Sequence, residues 1–136
     1  MQLSDILSRW ANREGALLPI LHEVQAEFGH VSEESIGAIA AALNLSRAEV
    51  HGVVSFYHDF RTSPDPRPVV KLCRAEACQA RGSEALVETI GDVAGIKVGT
   101  VYCLGLCSVG PNAMVGEVVH GRLDTARLAA LVENLA

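Results

Sequence analysis

The sequence CRAEAC at residues 73–78 and the sequence CLGLC at residues 103–107 contain all four cysteines of the chain. Four residues separate the cysteines of the first pair and three separate those of the second. Each pair begins where a predicted strand ends and continues into a loop. If the two strands are neighbours, their ends lie about 5 Å apart and four sulfur atoms can converge. The two stretches therefore predict one site formed by the sulfur atoms of Cys73, Cys78, Cys103 and Cys107.

The composition is that of an ordinary folded domain. Of 136 residues, 49% are hydrophobic and 20% are charged, which is enough apolar material for a packed core. The net charge of −5 has the wrong sign for a protein that tracks nucleic-acid phosphates. No apolar run approaches the ~20 residues that span a bilayer, and the start, MQLSD, lacks a basic flank followed by an apolar signal core. We therefore expect a soluble, cytoplasmic chain with no nucleic-acid partner and no direct membrane insertion.

Four cysteines in two pairs fit three kinds of site. Disulfides form mainly in oxidising compartments and in domains too small for a core, so they suit this chain poorly. A structural zinc site usually has two to four residues inside each cysteine pair. The second pair, with three residues, lies within this range, and the first pair, with four, lies at its upper limit. A [2Fe–2S] cluster takes one pair of thiolates for each iron. The spacing favours metal over disulfides strongly, but it separates iron–sulfur from zinc only weakly.

A proline-rich segment divides the sequence. Residues 63–68, SPDPRP, contain three alternate prolines, each of which fixes φ and removes a backbone donor. Neither a helix nor a sheet continues through such a segment, which acts as a stiff connector. We predict an N-terminal helical bundle at residues 1–62, the connector at 63–68 and a second domain at 69–136.

Helix signals fill residues 1–62, where we predict four short helices. Gly29 is a stop signal for the second helix, and Ser32 is an N-cap for the third. The segment Ser46-Arg47-Ala48-Glu49 is a capping box, in which the serine and the glutamate satisfy each other's free backbone donors. We expect the fourth helix to run from this box to near Phe60.

Residues 69–136 follow a different pattern, β-α-β-β-β-α. The predicted elements are a strand at 68–73, a helix at 83–90, a strand at 96–102, a hairpin at 113–123 and a helix that begins after Asp124. This order fits a small sheet with helices on it, of thioredoxin-like size. The predicted fold class is α+β or α/β, with a helical bundle followed by a thioredoxin-like domain that carries the cysteine site.

The cysteine stretches resemble those of the thioredoxin-like [2Fe–2S] ferredoxin family, which includes the 24 kDa subunit of complex I. The resemblance rests first on Cys73 to Cys78 and on Tyr102 to Cys107 with Pro111. It extends to the helical half, through residues 29–32, residues 50–57 and the proline connector. Two features depart from the complex I relatives: Arg-Ala-Glu-Ala stands where small polar residues are usual, and Gly110 stands where alanine is common.

Within that family, residues 55–61 and 73–79 look most like the gamma subunit of NAD-dependent formate dehydrogenase. The resemblance implies one [2Fe–2S] cluster on the four cysteines and a non-catalytic, electron-transferring subunit. It also implies a partner that holds FMN and NAD, and a larger molybdenum- or tungsten-type formate dehydrogenase subunit. Two alternatives of the same class are the 24 kDa-type subunit of complex I and that of an NAD-linked hydrogenase. An alternative of another class is a zinc-stabilised interaction module.

The remaining residues agree with electron transfer rather than substrate chemistry. No glycine-rich loop leads from a strand into a helix with the dinucleotide or P-loop fingerprint, so NAD and flavin are expected on a partner chain. We find no catalytic residue. Positive charge near a cluster raises its reduction potential, and the candidates by sequence are Lys71, Arg74 and Arg81. The alternative for Arg74 is a solvated surface position or a salt bridge to Glu76.

Overall fold

The chain divides into two compact units, Met1–Pro66 and Arg67–Ala136. The computed structural model describes residues 2–91, 93 and 95–135. The boundary falls inside the proline-rich segment. Each unit has its own cluster of buried apolar side chains, and none of the described residues belongs to both clusters.

The first unit is built from helices. The described residues form α1 (Leu3–Trp10), α2 (Leu17–Phe28), α3 (Glu33–Leu43) and α4 (Arg47–Phe56). Their apolar faces meet in a core in which the side chains of Ile6, Ile20, Leu21, Val24, Val31, Ile36, Ile39 and Val50 are fully buried.

Local signals set several helix ends in this unit as the sequence predicts. Gly29 ends α2 with a φ of 79°, a left-handed conformation that glycine adopts without steric cost. The Ser32 side chain accepts a hydrogen bond from the Ser35 N–H at 3.1 Å and so caps α3. At α4, the Glu49 N–H donates to the Ser46 hydroxyl at 3.1 Å, and the Ser46 N–H donates to the Glu49 carboxylate at 2.7 Å. The capping box is confirmed.

The end of α4 differs from the prediction. The helix stops at Phe56, and Tyr57 is already extended with ψ of 117°. The cause is a contact from α2: the Gln25 side chain donates to the Asp59 carbonyl and accepts from the Arg61 N–H. Because this amide takes up the backbone groups of residues 59–61, the chain leaves the helix four residues before Phe60.

Loss of the Ser46 hydroxyl should weaken the first unit measurably. We expect Ser46→Ala to lower the free energy of unfolding by about 1 kcal/mol at neutral pH, the usual cost of an N-cap. Two hydrogen bonds from Ser46 lower the pKa of Glu49 from 4.5. The backbone N–H has the larger effect and the hydroxyl the smaller. A carboxyl group whose pKa is lower in the folded state stabilises the fold at pH values above its pKa in the unfolded state. That stabilisation is lost as the pH falls through the pKa of the folded state.

Ser46→Ala keeps the backbone N–H and removes only the hydroxyl that also lowers the pKa of Glu49, so part of the difference between wild type and Ser46→Ala should disappear as the pH drops below 4.5. Urea unfolding at several pH values, followed by the fluorescence of the single tryptophan, Trp10, measures it. Ser55→Ala is the matched control, because the Ser55 hydroxyl lies in the same helix and donates only to the Gly52 carbonyl. Equal unfolding midpoints for Ser46→Ala and wild type at pH 7 would contradict the prediction.

The second unit contains a four-stranded sheet and three helices among its described residues. In chain order these are β1 (Val69–Cys73), α5 (Glu76–Ala80), α6 (Ser83–Ile90), β2 (Lys97–Val101), a single 3-10 turn (Cys107–Val109), β3 (Ala113–Val115), β4 (Val118–His120) and α7 (Thr125–Leu135). Across the described ranges of both units, every helix is too short, or too polar, to cross a membrane.

The strand order of the sheet is β2-β1-β3-β4. Strands β1 and β2 are parallel neighbours with Cys73 opposite Val101, and the other neighbouring strands are antiparallel. Side chains alternate along a strand, so Val70 and Leu72 share one face, where they pack with Leu86 of α6 and Leu128 of α7. The predicted α+β fold is confirmed, and the mixed sheet brings the carboxyl ends of β1 and β2 to the same edge.

Candidate metal centre

Both cysteines of the first pair are buried. Cys73 is the last residue of β1, and Cys78 lies in α5, with exposed fractions of 1% and 2%. The thiols of the two residues are hydrogen-bonded to each other. The sequence predicted a loop between them, whereas residues 76–80 form one short helix, whose turn directs the Cys78 side chain inward.

The second pair lies on the loop that follows β2. Cys103 has a φ of 76° and Gly105 a φ of 78°, so the chain takes two left-handed turns within three residues. This conformation is unusual for a non-glycine residue such as Cys103, and glycine adopts it freely at Gly105. The result is a distance of 3.7 Å between the sulfur atoms of Cys103 and Cys107, both of which are exposed.

Backbone N–H groups surround the sulfur of Cys73. The Cys103 N–H donates to it at 3.3 Å, and the N–H groups of Ala75 and Leu104 also point to it. Burial acts to raise the pKa of the Cys73 thiol, but these hydrogen bonds outweigh burial, and the pKa is lowered. The protein thus favours a thiolate at Cys73, which is the form that binds a metal.

The surroundings of two other thiols favour the protonated form. Burial raises the pKa of Cys78, and the hydrogen bond to Cys73 raises it further, by a smaller amount. The Asn112 N–H acts in the opposite direction. The hydrogen bond with Cys103, and the charge of that neighbour, raise the pKa of Cys107. A metal binds cysteine as the thiolate, so a metal that binds here must displace these protons.

A glycine leaves room beside Cys78. A Cβ atom at position 110 would lie 3.0 Å from the Cys78 sulfur and 3.5 Å from Cδ of Arg81. Alanine at this position would require the sulfur to shift by a few tenths of an ångström. Gly110 therefore leaves the Cys78 sulfur the space that it occupies.

The three positively charged candidates have different surroundings. Arg74 follows Cys73 directly and pairs with Glu84 of α6 through two hydrogen bonds of 2.9 and 2.6 Å, so its partner is Glu84 and not Glu76, the residue named in the alternative. Arg81 lies beside Gly110, as described above. Lys71 lies two residues before Cys73 on β1, where its side chain passes close to Gly99.

Sequence analysis missed several groups at this site. The backbone donors of Ala75, Cys103 and Leu104 carry no signal in their side chains. Asn112 was also missed, although its side chain is only 2% exposed and donates to the Leu106 carbonyl at 2.8 Å. The available signal was a polar residue placed directly before an apolar strand, Ala113–Val115.

The residues present fit a group that needs two pairs of thiolates and tolerates N–H donors at sulfur. All four cysteines are free, and they lie as two pairs linked through the Cys73 sulfur and the Cys103 backbone. The Gly105 N–H donates to the Cys103 sulfur at 3.4 Å. Among the described residues, no three His, Cys, Asp or Glu side chains surround a single metal-ion position. The fold and this arrangement define an α+β domain with a paired-thiol site.

The comparisons with known proteins agree with that class. The sequence matches the family described as thioredoxin-like [2Fe-2S] ferredoxin over residues 3–136. The chain belongs to this family.

Two of the relatives are subunits of oxidoreductase complexes. The chain is 36% identical to a subunit of the NADH-quinone oxidoreductase of Rhizobium meliloti (strain 1021), over 93% of this chain and 82% of the relative. It is 30% identical to HndA, a subunit of the NADP-reducing hydrogenase of Solidesulfovibrio fructosivorans, over 88% and 77% respectively.

A solved structure shares the fold. The air-oxidised NAD⁺-reducing [NiFe]-hydrogenase matches with a TM-score of 0.73 and 27% sequence identity over 88% of this chain. The present chain corresponds to 22% of that hydrogenase chain.

Proposed function

We propose that this chain is an electron-transfer subunit that holds one [2Fe–2S] cluster on Cys73, Cys78, Cys103 and Cys107. The observation that carries the proposal is the arrangement of the four thiols as two pairs, with three backbone N–H groups directed at the sulfur of Cys73. When bound, such a cluster accepts and donates one electron at a time. The residues of this chain supply the ligands, the hydrogen bonds to sulfur and the surrounding charge.

The zinc-stabilised interaction module is supported less well. A structural zinc ion requires four ligands tetrahedrally around one point. The short contacts here join sulfur atoms two by two, which suits a cluster of two irons better. Membership of a ferredoxin family supports the same choice.

The complex that we propose is one in which a partner subunit binds FMN and NAD. The named relatives are subunits of an NADH-quinone oxidoreductase and of an NADP-reducing hydrogenase, and they support these two kinds of complex. The chain would exchange electrons with the flavin of the partner and perform no substrate chemistry itself. We also propose a cytoplasmic location, where thiols stay reduced and can bind a metal.

A formate dehydrogenase complex is the second candidate. It rests on the likeness of residues 55–61 and 73–79 to the gamma subunit of NAD-dependent formate dehydrogenase, and on the Arg-Ala-Glu-Ala sequence between the first two cysteines. In that complex the third partner would be a molybdenum- or tungsten-type subunit that oxidises formate. The named relatives give this candidate less support than they give the complex I and hydrogenase types.

Purification of the tagged chain from its own cells tests the proposal. We expect a flavoprotein to co-purify and NADH to bleach the visible absorbance of the complex. The third partner then distinguishes the candidates: a quinone-reducing assembly, a hydrogenase or a formate-oxidising subunit. Absence of a flavoprotein, together with no spectral response to NADH, would contradict the proposal.

Neutralising Arg74 and neutralising Glu84 should shift the reduction potential of the cluster in opposite directions. The Glu84 carboxylate raises the pKa of Arg74, so the guanidinium stays charged, and its own charge is offset by Glu84. We expect Arg74→Gln to lower the potential and Glu84→Gln to raise it, each by an amount on the order of tens of millivolts for a charge several ångströms away in water-exposed surroundings.

Redox titration of the purified, cluster-loaded protein measures both shifts. Glu88→Gln, an exposed change on the same helix as Glu84, is the matched control for the loss of one negative charge. Shifts of the same sign in Arg74→Gln and Glu84→Gln would contradict the electrostatic explanation.

A further inference from the structure

Asn112 contacts both residues of the first cysteine pair through its backbone, and the loop of the second pair through its side chain. Its carbonyl accepts a hydrogen bond from the Cys73 N–H at 2.9 Å, and its own N–H is hydrogen-bonded to the Cys78 sulfur. Both contacts use only backbone atoms of Asn112, so they are independent of the side chain at position 112.

The side chain reaches the other pair. Its Nδ2 donates to the Leu106 carbonyl at 2.8 Å, directly before Cys107. The same carbonyl also accepts from the Val109 N–H at 3.0 Å, so both of its lone pairs are used. Since a carbonyl can only accept, Nδ2 rather than Oδ1 must face Leu106, which fixes the orientation of the amide.

The other end of the amide has no such contact. Within residues 2–91, 93 and 95–135, Oδ1 of Asn112 finds no hydrogen-bond partner, and it faces Gly121, where a Cβ atom would lie 3.4 Å from it. A buried oxygen without a partner destabilises a fold. Asn112 is therefore a poor residue for stability alone, and what its side chain contributes is the hydrogen bond to Leu106.

We propose that Asn112 is a positioning residue, whose side chain holds the Cys103–Cys107 loop in register with Cys73 and Cys78. The loop needs this contact because both of its cysteines are exposed and its backbone turns twice through left-handed conformations. The inference rests on the proposed function, since it concerns how firmly the four thiols hold a cluster and how they are arranged around it.

Two substitutions separate this role from packing. Asn112→Ala leaves a small void and Asn112→Leu fills the space, but both remove the same Nδ2 donor, and both keep the backbone contacts. Ser83→Ala is the matched control: Ser83 is also 2% exposed in the second unit, and its hydroxyl is likewise buried without a partner among the described residues. If one Asn112 variant fails to fold, the other still gives the result.

The measurements are the release of iron to a chelator and the electron paramagnetic resonance spectrum of the reduced full-length protein. We expect both Asn112 variants to release iron about tenfold faster than wild type, the lower end of the effect of contacts behind metal ligands. We also expect a broadened or shifted reduced spectrum, while Ser83→Ala matches wild type in both measurements. A purely structural role would lower the thermal stability without changing the spectrum.

Wild-type release rates and spectra in the folded Asn112 variants would overturn the positioning role and leave the cluster assignment intact. A change in Ser83→Ala equal to that in the Asn112 variants would also overturn it. A wild-type protein that binds no iron or sulfide would overturn the proposed function, and the positioning role with it.

Discussion

Replacement of Cys107 by serine should remove most of the iron from the purified protein, and Cys103→Ser should do the same. A hydroxyl group is a far poorer ligand for iron than a soft thiolate. Even contacts behind the ligands typically change metal affinity 10–100-fold, so loss of a ligand should lower the iron content by at least about tenfold. Iron and acid-labile sulfide assays on protein purified without reconstitution measure the loss.

The helical unit should survive these substitutions. Its core shares no described residue with the core of the second unit, so the far-ultraviolet circular dichroism of its helices should persist. Ser108→Ala is the matched control, because Ser108 is exposed and adjoins Cys107. Wild-type iron content and visible spectra in both Cys103→Ser and Cys107→Ser would refute the assignment of these residues as ligands.

The second large effect is expected in the helical unit. Leu21 of α2 is fully buried, and Leu21→Ala leaves a cavity in the core. Buried leucine-to-alanine changes cost about 2–5 kcal/mol, which is a large part of the ~5–15 kcal/mol that stabilises a typical domain. Urea unfolding followed by Trp10, the single tryptophan of the chain, reports on this unit selectively.

The control for Leu21→Ala is an exposed change on the same helix. Ala26 is exposed, and Ala26→Ser should cost no more than about 0.5 kcal/mol of helix propensity. We expect the iron content to stay at the wild-type level in both variants under native conditions. An unfolding midpoint of Leu21→Ala that equals that of Ala26→Ser would be incompatible with the core position of Leu21.

The parts of the fold that the sequence predicts are those set by neighbouring residues. Ser32 and Ser46 cap their helices because the acceptor and the donors lie within three residues of each other. The helix at Ser83–Ile90 begins directly after Gly82, as the sequence predicts. The paired cysteines likewise predict their meeting at one sheet edge, because parallel strands β1 and β2 end together there.

The parts that the sequence does not predict depend on distant residues. The fourth helix ends early because Gln25, more than thirty positions away, holds the backbone of residues 59–61. Arg74 pairs with Glu84 rather than Glu76 because α6 approaches the end of β1. The Gly110–Pro111 bond is cis, and only about 5–6% of bonds before proline are cis, so nothing in the sequence favours it.

The most direct test of the cluster assignment is an assay of iron, zinc and acid-labile sulfide on one sample of purified protein, together with its visible absorbance. A [2Fe–2S] protein should be brown and contain two irons and two sulfides per chain. A colourless protein with one zinc ion and no sulfide would contradict the electron-transfer function and make the second unit a zinc-stabilised module.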